Sequence, residues 1–346
     1  MPSRLSFTKA LAAISALAVP ASTLNNTTPY TLKTDLSGPN FFTHFTLFSS
    51  PDPTHGFVQY QPLSAAAPSS LIGHLDNHVF LGVDYTSPTP HGRPSVRAES
   101  SLSFNHGLLV ADILHMPNNT CGVWPAFWML GGAKNGEEWP LAGEIDILEG
   151  VNAYDSNAVT LHTSAGCVVD NATSAPNTQY AGAKQLGVLA TSNCDVNAQG
   201  QGKNVGCSIH APAPSVLPTY GAPFNAAGGG VYAMQRTPCS ISVWFLPSNT
   251  TSSLDLTTSP DPSTWGLPLA RFSGPGCDFD ERFRDMKIIF NTAFCGEWAG
   301  AEEEWGRECR ASTGYETCEE WVGGRPEAFV EAYWEIGGLR WFERGE

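Results

Sequence analysis

The stretch GEIDILEG, Gly143 to Gly150, sets three acids within six residues and closes them off with a glycine at each end. On a helix, Glu144 and Glu149 would fall on different faces and the acids would form a solvated surface. The Glu-Ile-Asp-Ile alternation and the flanking glycines favour a strand, with Glu144 and Asp146 on one face and Ile145 and Ile147 behind them. Strict alternation would then turn Glu149 into the core, a costly place for a carboxylate. One inserted residue near Ile147 or Leu148, a β-bulge, returns Glu149 to the face of the other two acids.

That geometry carries chemical content. Four strand steps separate the two glutamate backbones by roughly 13 Å, and long side chains leaning together bring their carboxyls to about 5 to 5.5 Å, the separation of a retaining glycosidase pair. Three carboxylates on one small patch repel one another strongly, so at least one is expected to keep its proton at neutral pH. A protonated acid beside an ionised nucleophile is the pairing that glycoside cleavage requires.

Outward from this stretch, short apolar or alternating segments recur between turn signals: 78–85, 108–115, 158–163, 241–247, 286–294 and 331–336. Many short strands with glycine- and proline-rich turns predict an all-β protein, a jelly-roll sandwich of two antiparallel sheets. The 151–157 loop should fold 158–163 back beside the acidic strand. The glycine-rich 225–234 segment has neither GxGxxG spacing nor a Walker lysine, which argues against a phosphate loop.

The first residues join a basic start (Arg4, Lys9) to an apolar run, Ala10 to Val19, and a small-residue site, so residues 1–21 read as a secretory signal. Residues 22–346 show no linker or repeat and are expected to form a single domain, exported and monomeric. Five Asn-x-Ser/Thr sites (Asn25, Asn26, Asn118, Asn171, Asn249) fit a glycosylated route. Nine cysteines predict disulfides with one thiol left over, and no Cys-x-x-Cys pair suggests a metal. A net charge of -15 argues against nucleic acid or an anionic membrane as partner. Charged residues make up 15% of the chain against 11% aromatic, a balance suited to neutral polysaccharide bound by stacking. No cofactor or metal is expected.

From GPNFF (38–42) to EAYWEI (331–336) the chain resembles fungal members of glycoside hydrolase family 16, the laminarinase-like endo-β-1,3(4)-glucanases. The acidic signature appears in its bulged form, with DPTHGFV (52–58), GRPSVR (92–97), HGLLVADILHMP (106–117), CGVWPAFWML (121–130), LHT (161–163), GGGVYAM (228–234) and FCGEWAG (294–300) in order around it. The resemblance implies a jelly roll with an open concave cleft, Glu144 as nucleophile, Asp146 as its assisting acid and Glu149 as general acid/base.

Trp124 and Trp128, four apart, should share a strand face; each is either a sugar platform or core packing. Trp139, beside Pro140, is the stronger cleft candidate. His162 shares parity with Thr160 and would lie exposed next to the acids, bonding a carboxyl, a sugar hydroxyl or the protein frame. Arg93 and Arg97 are weaker substrate-binding candidates, since most arginines at such spacing simply cover a surface, while His55 and His115 have no evident chemistry. Arg236 stands where similar proteins carry an aromatic and would alter distal subsites. Cys239 is the expected free thiol. Three functions fit: an endoglucanase acting on β-glucan, a cell-wall transglycosylase using the same acids, and a non-catalytic β-glucan-binding protein, disfavoured because all three acids are present.

Overall fold

The computed structural model describes residues 28–132, 134–170 and 185–345. The expected signal, 1–21, and the Asn25, Asn26 and Asn171 sites lie outside them. Of the other two sites, Asn249 is exposed in a short 3-10 turn, whereas Asn118 is partly buried and accepts a bond from Asn225 at 2.8 Å.

Two eight-stranded antiparallel sheets face each other. The first runs in the spatial order Val188–Thr191, Cys207–His210, Ala158–His162, Glu144–Glu149, Val123–Leu130, Lys287–Phe294, Arg97–Ser100, Phe45–Leu47. The second runs Ala270–Ser273, Ser240–Pro247, Gly230–Thr237, Gly107–His115, Trp334–Arg344, His78–Leu81, Ile72–Leu75, with Tyr30–Asp35 also pairing to Trp334–Arg344. Hence the jelly-roll expectation holds, and five of the six predicted strands lie in place. The sixth is shifted: residues 331–333 are irregular, and the strand starts at Trp334 and continues to Arg344. Gly337 and Gly338 look like a turn in the sequence but sit at a register shift inside the strand.

Period-2 alternation builds the core between the sheets. Ile145, Leu148, Phe127, Met129, Ile288 and Phe290 point inward from the first sheet and meet Leu109, Ile113, Tyr232, Met234, Ile241 and Val243 from the second, all buried in one cluster. The opposite face of the first sheet is therefore left for polar groups. A satellite core of Val123, Phe294, Trp305, Val322 and Phe329 closes one end, stapled by Cys121–Cys309 and Cys295–Cys318. Cys167–Cys277 and Cys194–Cys207 complete four disulfides, and Cys239 is free and exposed, as expected.

Candidate active site

Glu144–Glu149 is a strand, paired on one side with Val123–Leu130 and on the other with Ala158–His162. Asp146 opposes Trp128 and Leu148 opposes Phe127, so Ile147 is the extra residue and the bulge lies where the alternation demands it. Ile147 and Leu148 both remain buried, and Glu149 returns to the face of Glu144 and Asp146. The closing glycines have a steric cause. A Cβ on Gly143, whose φ is +80°, would sit 2.3 Å from the Arg282 carbonyl, and one on Gly150 would sit 2.8 Å from the Tyr220 ring.

A bulge leaves ladder groups unpaired, and here a side chain replaces the missing partner. Asn157 Oδ1 accepts the Glu149 N–H at 2.9 Å, while its Nδ2 donates to the Ile147 carbonyl at 2.8 Å. Asn157 is itself buried, its own N–H donating to Thr219 Oγ1 at 3.0 Å.

The acids are placed unequally. Asp146 is 2% exposed, and His162 Nε2 lies 3.1 Å from its Oδ2 and 3.9 Å from Glu144 Oε1. His162 opposes Glu144 in register, as expected, but it is 8% exposed, packed within the acid cluster instead of standing free in the cleft. Glu149 Oε1 accepts from Trp124 Nε1 at 2.8 Å. Burial pushes all three carboxyls up, each to about 8. After burial, the neighbouring charge of Asp146 raises both glutamates further, while the Trp124 bond opposes the rise at Glu149. The cluster therefore holds protons into the neutral range.

Trp124 and Trp128 do share this face, both half-buried. Each is held by its indole N–H, Trp124 through Glu149 and Trp128 through Asn291 Oδ1 at 2.7 Å. Arg97 lies over the Trp128 ring at 4.9 Å and pairs with Glu99. Trp139 is 43% exposed on the 131–143 loop, its ring 6.4 Å from that of His162. At the Glu149 end stand two aromatics that sequence reading missed: Trp298, edge-on to Trp124 at 5.6 Å, and Tyr154, edge-on to Trp298 at 6.0 Å. The FCGEWAG motif contains the first of them.

Two expectations are corrected. Arg93 is 0% exposed: its guanidinium donates to the carbonyls of Val322 and Asp84 and lies over Phe329 at 4.7 Å, so it ties the satellite core and cannot reach a ligand. Arg236 is likewise buried, donating to the carbonyls of Phe279 and Phe283, and lines no subsite. Among the described residues, Glu144, Asp146 and His162 form a group whose ligand atoms lie within 4.8 Å of one another.

Comparison with known proteins gives concordant matches. The profile of the XgeA-like, catalytic GH16 domain matches residues 45–342. An endo-1,3(4)-beta-glucanase of Arthroderma benhamiae is 41% identical over 91% of this chain and 65% of its own length, and a probable endo-1,3(4)-beta-glucanase of Aspergillus clavatus is 39% identical over 91% and 47%. The chain thus spans roughly half to two thirds of these relatives. Laminarinase 16A from Phanerochaete chrysosporium, solved with 6-O-glucosyl-laminaritriose in donor and acceptor sites, superposes with a TM-score of 0.78 at 35% identity, covering 91% of this chain and 99% of that one. An elongating GH family 16 beta-1,3-glucosyltransferase superposes at 0.79 with 38% identity, covering 91% and 100%.

Proposed function

The chain belongs to glycoside hydrolase family 16, and from that premise we propose that it is an endo-β-1,3(4)-glucanase cutting internal β-1,3 or mixed β-1,3/1,4 bonds by retaining double displacement. Supporting this reading is the bulge at Ile147, which puts three raised-pKa carboxyls on one face between aromatic side chains. Glu144 attacks the anomeric carbon while Glu149 gives its proton to the departing glycosidic oxygen. Glu149, now ionised, takes a proton from water, which displaces Glu144 and releases a β-configured product. Asp146 tunes the protonation of Glu144 as its neighbour, and His162, close to both acids, favours the ionised form of Glu144. Trp124 orients Glu149, and Trp128 and Trp139 offer ring faces to sugars. The expected signal 1–21, a single catalytic domain over 22–346, export and a monomeric state complete the proposal; four disulfides fit an oxidising compartment. Asn249 is the described glycosylation site best placed for modification.

Transglycosylation is the second reading, favoured by the likeness to the elongating glucosyltransferase. A sugar hydroxyl then replaces water in the second step. Digestion of laminarin, lichenan, xyloglucan and chitin-glucan in parallel, with products sized at low and high acceptor concentration, tests both. Shorter laminarin and lichenan fragments support hydrolysis, whereas products longer than the donor support transfer. No turnover of any of them would remove both readings in favour of a binding protein.

A further inference from the structure

Residues 279–285 lie outside the acidic face, yet they grip both loops that flank Glu144. On one side, Arg282 Nη1 donates to Ser164 Oγ at 2.8 Å, two residues past His162. On the other, the Arg284 N–H donates to the Ala142 carbonyl at 3.1 Å, and the Arg284 carbonyl accepts the Gly132 N–H at 2.9 Å. The gripping segment has a firm base. Asp278 caps its helical turn, the Phe279 and Phe283 rings stack in the core at 6.0 Å, and buried Arg236 holds the carbonyls of both phenylalanines. Gly143 lets the two backbones touch, since any Cβ there would strike the Arg282 carbonyl.

Trp139 stands on the far arc of the gripped loop, 43% exposed, with the His162 ring its ring neighbour at 6.4 Å. Its height over the cleft is therefore set by the backbone beneath it. Among the described residues, the hydrogen-bonded side-chain tie that reaches residues 136–141 from outside the loop is Arg284, whose Nη2 donates to Glu137 Oε1 and Oε2, both at 2.8 Å. The pair is about one-third exposed, 33% and 29%, so it is shielded without being deeply desolvated. A second pair, Lys134 to Asp285 at 3.0 Å, pins the start of the same loop.

We propose that Arg284 and Glu137 are positioning residues that fix the Trp139 platform beside the Glu144 end of the cleft and thereby set affinity for long glucan chains. This rests on the reading above that Trp139 stacks on a sugar ring. The experiment uses the full chain carrying Glu137→Gln, Arg284→Lys or Trp139→Ala, assayed on long-chain laminarin. Glu137→Gln is expected to raise KM about fivefold, the scale of one well-formed, partly exposed ion pair, with kcat moved less than about twofold. Arg284→Lys keeps a point charge facing Glu137 and should raise KM less than Glu137→Gln does. In a Trp139→Ala background Glu137→Gln should add no further rise in KM. Acrylamide quenching, read as the difference between each variant and its Trp139→Phe counterpart, should show Trp139 more accessible when the pair is broken. A raised KM in Trp139→Ala with an unchanged KM in Glu137→Gln would overturn the positioning role and leave the platform standing. Unchanged KM in Trp139→Ala would overturn the platform itself, and the proposal with it. Loss of kcat and melting temperature together in Glu137→Gln would mark the pair as a fold determinant and also overturn the proposal.

Discussion

Asn157 completes the backbone of Glu149: its side-chain amide accepts the Glu149 N–H at 2.9 Å and donates to the Ile147 carbonyl at 2.8 Å, filling the gap that the bulge opens in the ladder. Asn157→Ala would leave two buried backbone groups unpaired, at a cost of about 2 kcal/mol or more. It should also let Glu149 drift, so activity on glucan falls by more than the loss of folded protein explains. Urea unfolding beside kcat on soluble laminarin measures both. Full activity in a destabilised Asn157→Ala would confine the residue to a structural role.

Trp124 is expected to tune Glu149. Its indole N–H donates to Oε1 at 2.8 Å and stabilises the ionised carboxylate against the upward push of burial. Trp124→Phe keeps the ring and removes the donor, so the Glu149 carboxyl should rise further. The alkaline limb of the kcat profile should move to higher pH, and kcat at its optimum should drop about tenfold, the value of one charge-assisted bond. An unmoved alkaline limb would separate Trp124 from the acid/base.

The raised carboxyls predict how stability depends on pH. Below about pH 4 they are protonated both folded and unfolded; as pH rises the unfolded chain releases its protons near that value, while the folded cluster keeps them up to about 8. The folded state binds more protons across this window. Stability is therefore full below the unfolded values and is lost as pH rises through about 8, with a slope of about 1.4 kcal/mol per pH unit for each retained proton. Asp146→Asn removes one such proton, and its unfolding free energy should fall less steeply between about pH 5 and 7. Parallel slopes in the two proteins would contradict the buried, protonated cluster.

Arg93 should behave as a core residue. Its guanidinium serves carbonyls on two segments and lies over Phe329, so Arg93→Ala leaves several acceptors unpaired and is expected to cost about 3 kcal/mol or more. The folded fraction should bind glucan with unchanged KM. A raised KM at wild-type stability would return Arg93 to the cleft.

Arg93 also shows where sequence reading stops. A charge in a motif looks like a ligand contact, and only the fold reveals that the helical satellite closes over it. The bulge, by contrast, was legible, because period-2 alternation and the cost of burying Glu149 allow few solutions once Gly143 to Gly150 is a strand. Asn157 was not, since its partners are backbone groups eight and ten residues back that a one-dimensional pattern cannot pair. His162 was read into the right register with too much exposure, since its ring turns toward Asp146. The strand at Trp334–Arg344 runs on past the expected segment through Gly337 and Gly338. In the fold Gly337 lies against Asp112, whose Oδ2 would be 2.9 Å from any Cβ there.

The two glutamates should fail differently when removed. If Glu144 attacks the anomeric carbon and Glu149 protonates the leaving oxygen, two inversions restore the β configuration, and proton NMR of an early digest should show a β product. An α product would rule out double displacement. In Glu144→Ala the nucleophile is gone, so an aryl glycoside with a good leaving group should stall until azide fills the space, attacks from the same face and leaves an inverted α-glycosyl azide. In Glu149→Ala the aryl glycoside needs little protonation to leave, so the glycosyl-enzyme should still form. Azide then attacks it without base assistance and gives the β-glycosyl azide. Asp146→Asn should slow both steps and abolish neither, because it alters the charge and orientation of its neighbour and forms no bond to substrate. An α-azide from Glu149→Ala and a β-azide from Glu144→Ala would show that the two roles are exchanged across the bulge.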